Sequence, residues 1–184
     1  MASENRVNPW GRVFESAERG YFMGNRDFGN AWITCLLRDP DGEADPEPVE
    51  YTKLFFLDEA TALAAGHRPC HRCRPRDYAL FLKLLNADGS KALDAVLKRE
   101  RGERESHPRR TALAAKLPAG AMFTVGDDAF LAWHRLAFRW SPGGYEPEGA
   151  VKDRGRVQLL TLPSTLRALD AGYRPWVHPS VLRA

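Results

Sequence analysis

Hydrophobic and polar positions follow two rhythms along this chain, and the change between them comes shortly after residue 100. Ala31–Leu37 and Tyr51–Leu57 are short runs rich in β-branched and aromatic residues, bounded by turn formers, and predict two strands. Between them Asp41–Glu50 holds Pro46 and Pro48 with no apolar period, which predicts an exposed loop joining a long hairpin. Asp58 stands as the N-cap of a short helix, Glu59–Ala65, that Gly66 ends as a left-handed residue. Tyr78, Phe81, Leu82 and Leu85 recur at helical spacing and predict a helix over Pro75–Asn86. Another helix runs from about Lys91 to Arg101, with Leu93, Val96 and Leu97 as its buried stripe.

Residues 98–110, KRERGERESHPRR, hold six bases and three acids and no apolar residue, the pattern of a linker or solvated arm. Beyond it the pattern changes to short strands, with Leu136, Phe138 and Trp140 alternating with Ala137 and Arg139. Ala121–Val125, Ala129–Trp133, Leu136–Trp140 and Val157–Thr161 predict a small, mostly antiparallel sheet. Ser164 caps a last helix that stops at Gly172, and the first 30 residues, with glycines at 11, 20, 24 and 29, predict irregular structure. The expected fold class is α+β: a metal-stapled hairpin with helices over residues 1–105, then a β-rich module with one terminal helix over 106–184. One internal echo, Leu63–Pro69 against Leu169–Pro175, fits two helices ending on the same glycine stop and proline break, with a duplication as the alternative.

Composition narrows the class. At 184 residues and 43% hydrophobic the chain is too apolar for a disordered one. No stretch approaches the ~18 apolar residues of a membrane span, and the N-terminus has neither the apolar core of a secretory signal nor the character of a transit peptide. The expectation is a cytoplasmic protein without membrane contact. The net charge is +3, but the six acids between Asp39 and Glu50, with no base among them, mask a basic remainder dominated by arginine. Arginine's planar fork suits phosphate; a high-GC coding sequence produces the same skew.

Three cysteines, Cys35, Cys70 and Cys73, argue against a disulfide framework. Cys70-His71-Arg72-Cys73 is a Cys-x-x-Cys turn, which presents two thiolates as half of a tetrahedral zinc site. Cys35 is the remaining thiol, and zinc is the expected cofactor. The fourth ligand stays open among Asp39, His67, His71, His107 and His178. Two other readings compete: a redox pair, although that motif normally opens a helix after a strand, and buried thiols without metal. Pro69-Cys70-x-x-Cys73 also matches half of the nucleobase-deaminase signature, but the preceding His-x-Glu or Cys-x-Glu is absent, which excludes that chemistry.

The stretch LFFLDEATALAAGHRPCHRCRP, residues 54–75, resembles the zinc domain of Ada-type bacterial alkylation-response proteins and related zinc modules appended to bacterial nucleases. The resemblance spans about 45 residues, and the whole chain is also similar to short bacterial proteins that share this knuckle and a small β-rich part. It implies that Cys70 and Cys73 are the second ligand pair and that Cys35 begins the first. In the family that first pair is Cys-x-x-x-Cys, and one of its thiolates takes a methyl group from DNA. Asp39 stands at the second position here, so the methyl transfer is not carried over; a Cys3Asp or Cys3His set still holds zinc.

Arg68, Arg72, Arg74 and Arg76 lie within nine residues around the turn, a candidate phosphate-binding patch if exposed, unless some of them pair with the acidic loop or with Asp58 and Glu59. These observations predict a zinc-stabilised nucleic-acid-binding protein, with DNA rather than RNA as partner and a place in DNA repair or processing. An alternative is a metal-dependent enzyme acting on DNA or nucleotides through an open zinc site, with Glu59 or His107 moving the proton. A third is a protein-interaction module using the acidic loop.

Overall fold

The structure, a computed structural model, describes residues 4–16, 22–24, 31–36, 54–106 and 110–183. Among these residues it is an α+β fold of two six-stranded sheets with four α-helices. The first sheet contains β1 (Glu4–Val7), β2 (Val13–Ser16), β3 (Phe22–Gly24), β4 (Ile33–Leu36), β5 (Leu54–Phe56) and β6 (Arg68–Pro69), in the order β2-β1-β5-β3-β4-β6. The second contains β7 (Thr111–Leu113), β8 (Met122–Val125), β9 (Asp128–Trp133), β10 (Leu136–Ser141), β11 (Gly144–Ala150) and β12 (Arg156–Leu159), in the order β11-β10-β9-β8-β12-β7. All pairings in the second sheet are antiparallel.

Several strand expectations change. The stretch read as irregular supplies β1, β2 and β3, whose three or four residues are too few to show a period. The strands expected as a hairpin, β4 and β5, are not neighbours, because β3 sits between them and pairs antiparallel with both. Gly24 suits that central position: a Cβ there would stand 2.6 Å from the Phe56 ring and 3.0 Å from the Ile33 carbonyl oxygen. β11 was not expected, since Gly144-Tyr145-Glu146-Pro147-Glu148-Gly149 has no apolar alternation. It is an edge strand, where a proline without an N–H is tolerated.

The helix α1 (Glu59–Ala64) is buried on every side. Ala60 and Ala64 enter a core cluster with Met122, Leu131 and Phe138 of the second sheet. Leu63 joins Phe81, Leu93, Leu97 and Tyr173, and Ala62 packs with Val7, Leu54 and Phe56 of the first sheet. Three alanines in six positions keep the helix thin enough to serve as a wedge between three apolar surfaces. Two of these clusters unite residues on either side of position 105. At its end Gly66 takes φ +99°, and a Cβ there would also strike the Arg101 side chain at 2.8 Å. Gly172 repeats the device after the last helix: the amides of His67 and Tyr173 reach back to Ala62 and Ala168, the same C-cap pattern in both copies of the echo.

The helices α2 (Pro75–Leu85) and α4 (Pro163–Asp170) fall where the periodicity puts them, whereas α3 runs Ser90–Ser106, well into the expected linker. Its charged turns are structural. Arg101 donates to the Gly66 carbonyl at 2.9 Å and its guanidinium lies 4.1 Å over the Trp32 ring; Arg104 donates to Ala64 at 2.7 Å. These two side chains satisfy the carbonyls that the end of α1 leaves open. Glu100 is buried and accepts from both the backbone N–H and the hydroxyl of Ser164, at 3.0 and 2.7 Å. Ser164 therefore does not cap α4, as the sequence suggested; Pro163 opens the helix, and α3 supplies the acceptor. Glu100→Ala is expected to cost about 1–2 kcal/mol, read by urea denaturation, with Lys98→Ala as the silent exposed control.

Candidate metal centre

The two halves of the cysteine cluster meet through one backbone pairing. β6 adds to β4 in parallel, with Ile33 opposite Arg68 and Thr34 opposite Pro69. The Arg68 N–H donates to the Trp32 carbonyl at 2.9 Å and the Cys70 N–H to the Thr34 carbonyl at 3.1 Å. The next residue along each strand is a cysteine, so this register brings Cys35 beside Cys70. After Cys70 the chain turns back on itself, the Arg74 N–H closing onto the Cys70 carbonyl at 3.1 Å, and the turn returns Cys73 to the same place.

The three sulfurs lie within 4.8 Å of one another, each on a half-buried residue. Tetrahedral zinc at Zn–S distances of about 2.3 Å requires sulfurs roughly 3.8 Å apart, so the donor set fits a thiophilic divalent ion. Electrostatics point the same way. Hydrogen bonds from Cys35, then Cys73, pull the Cys70 thiol far below its ordinary range. The bond to Cys70 and burial push Cys35 far above its own. Three thiols this close compete for protons, and a divalent cation removes the conflict by holding them as thiolates.

Among the described residues no histidine or carboxylate joins this group. His67 is buried between the Trp32 and Phe56 rings, His71 is exposed and meets Tyr78 edge-on, and the His178 ring is bonded to Ser180 Oγ at 2.8 Å. Burial, first, holds His178 below its usual value. Asp39 and His107, like the acidic run from Asp39 to Glu50, lie outside the described residues.

The four arginines of the knuckle divide into two pairs. Arg68 is buried and makes a bidentate pair with Asp94 of α3, at 2.6 and 2.9 Å, with Tyr78 beneath it. Arg74 is 7% exposed and pairs with Glu59 at 2.7 Å and Asp77 at 2.9 Å. The four-arginine surface patch is therefore corrected to Arg72 and Arg76, which are exposed. Sequence could not show that Arg68 has an acid 26 residues away. These buried pairs instead bolt the two ends of the Cys-x-x-Cys turn to α3 and to α1.

Behind the turn, Asp58 and Glu59 are completely buried. Asp58 accepts from the Thr61 N–H and hydroxyl, the Tyr145 hydroxyl and the His178 N–H, at 2.7 to 3.1 Å. Glu59 accepts from Arg74, the Tyr173 hydroxyl at 2.5 Å and the Trp176 N–H at 2.8 Å. Burial lifts both carboxyls above the ordinary carboxylate range, while Glu59 holds the Arg74 guanidinium charged. For Glu59, the charged contact and two further donors favour the ionised form. Its oxygens are committed, so it is a structural acid rather than the proton carrier the sequence suggested. Sequence reasoning identified Asp58 only as a helix cap; the clamp both acids place on residues 173–178 had no local signal.

No protein-family model, no curated protein and no solved structure matches the chain.

Proposed function

We propose that this is a zinc protein whose three-thiolate centre fixes the Cys70–Cys73 turn so that it presents Arg72 and Arg76 to nucleic acid, within DNA repair or processing. The observation that carries the metal reading is the convergence of Cys35, Cys70 and Cys73 within 4.8 Å. Support for the partner comes from what the turn leaves outside: Arg72, Arg76 and His71 are exposed, and Asp77 is engaged with Arg74. Two arginines form a smaller footprint than four, and the salt dependence of binding reports that directly.

Fluorescence anisotropy with labelled single-stranded and duplex DNA tests it. Neutralising two phosphate contacts corresponds to a log–log salt slope near −2 for duplex, roughly −0.9 per contact. Arg72→Ala with Arg76→Ala is expected to weaken binding at least tenfold and flatten that slope, while the melting temperature stays unchanged. Equal affinity of the two proteins at low salt contradicts the nucleic-acid reading and leaves the metal centre standing. Among the described residues the site offers three protein ligands, which also favours a second reading: a centre with an open coordination position and Lewis-acid chemistry.

A further inference from the structure

A cavity of about 650 Å³ opens in the second sheet, away from the cysteines in sequence. Its floor is Ala114, Ala132 and Val151, residues of the core cluster beneath that sheet. Its walls include Leu117, Trp133 and Leu136, and Leu136 leaves 38% of its surface uncovered. The charged residues of the lining are Arg135 and Lys152, joined at the mouth by His134. All three are exposed, no acid contributes to the lining, and among the described residues neither Arg135 nor Lys152 has an ion-pair partner.

The backbone adds a second, independent observation. His134 and Arg135 form the β9–β10 turn with φ +44° and +71°, the left-handed conformation at consecutive positions. Two-residue hairpins of this type favour Asn-Gly, because larger side chains strain it. This turn instead holds two nitrogen-rich side chains at the cavity mouth, and strained backbone of this kind gathers at ligand sites.

We infer that this cavity is a binding site for a small amphiphilic anion: a hydrocarbon body on the alanine-rich floor, with its carboxylate or phosphate head between Arg135 and Lys152. The volume matches a small-molecule site rather than a protein interface. The lining holds no carboxylate, amide or hydroxyl side chain to read a nucleobase or sugar edge, and its charge is of one sign. A fork-shaped guanidinium and a point ammonium suit an oxyanion head. The site stands apart from the metal reading, and its failure leaves that reading untouched.

Calorimetric titration of the full chain with decanoate below its micellar concentration tests this, with decyl phosphate and decanol as further arms. The expected result is one anion per chain, at least tenfold tighter than decanol, with the preferred head given by the two anionic arms. Arg135→Gln with Lys152→Gln is expected to remove that advantage while leaving decanol binding unchanged. Ala115→Trp, an exposed wall position, is expected to block all three ligands without lowering the melting temperature. Decanol binding as tightly as both anions, unchanged affinity in the rim variant, or binding that survives Ala115→Trp each overturns the site. So does a failure of both anions to bind. Co-sedimentation with phosphatidylglycerol vesicles separates a free ligand from a membrane lipid; the chain is expected in the supernatant, and retention on vesicles overturns a free ligand.

Discussion

Cys70→Ser is expected to abolish stoichiometric zinc binding and to lower the melting temperature by roughly 10 °C or more, equivalent to several kcal/mol for a chain of this length. The size follows from where Cys70 sits. Its N–H closes the β4–β6 pairing and its carbonyl closes the turn, so the sulfur is tied to both halves of the centre. A structural ion contributes folding energy because the unfolded chain has no preformed site for it. Chelation of the wild-type protein should reproduce the loss, and Cys35→Ser should match it, since either change leaves two sulfurs. In chelated protein the same substitution should cost under about 1 kcal/mol, because serine and cysteine differ little once no ion is held. A large cost that persists under chelation would mean the thiols are packing groups.

Glu59→Ala should be the most damaging change away from the sulfurs, at about 3–5 kcal/mol. It removes the principal counter-charge of Arg74, whose guanidinium is buried, and strands the Tyr173 hydroxyl and the Trp176 N–H. Among the described residues half-exposed Asp77 also pairs with Arg74, within the first turn of its own helix. Removing one partner of a buried pair costs far more than replacing both, so Glu59→Gln with Arg74→Met should recover a good part of the loss. Because Arg74 ends the Cys-x-x-Cys turn, Glu59→Ala should also weaken zinc about 10–100-fold, as removal of supporting groups around metal ligands typically does. Urea denaturation with competitive zinc titration measures both effects. Additive losses in the double variant would show that the two residues act separately.

Much of the candidate metal centre was legible because its signals are local. Cys-x-x-Cys, the Asp58 cap, the Gly66 stop and the proline after it are short-range instructions, and the structure follows each. The strands β8, β9 and β10 were legible for the same reason, as short apolar runs of four to six residues around tight turns, with alternation in β10. What escaped depends on long-range partners. β3 has three residues and exists because β4 and β5 flank it. Arg68 and Arg74 looked like surface charges until Asp94 and Glu59 were placed against them. The arm from Lys98 looked solvated because a charge run usually is, yet its Glu, Lys and Arg are good helix formers, and no proline interrupts before Pro108. That signal was present. Its use, capping the ends of two other helices, was not.

Cobalt(II) titration of the metal-free protein, followed by absorption, bears most directly on the claim that three sulfurs share one ion. One equivalent should give thiolate-to-cobalt charge-transfer bands and the intense visible bands of a four-coordinate site, and Cys35→Ser should no longer give either at one equivalent. Displacement by one equivalent of zinc should bleach both. Uptake without thiolate bands, or a spectrum that ignores Cys35, would contradict it.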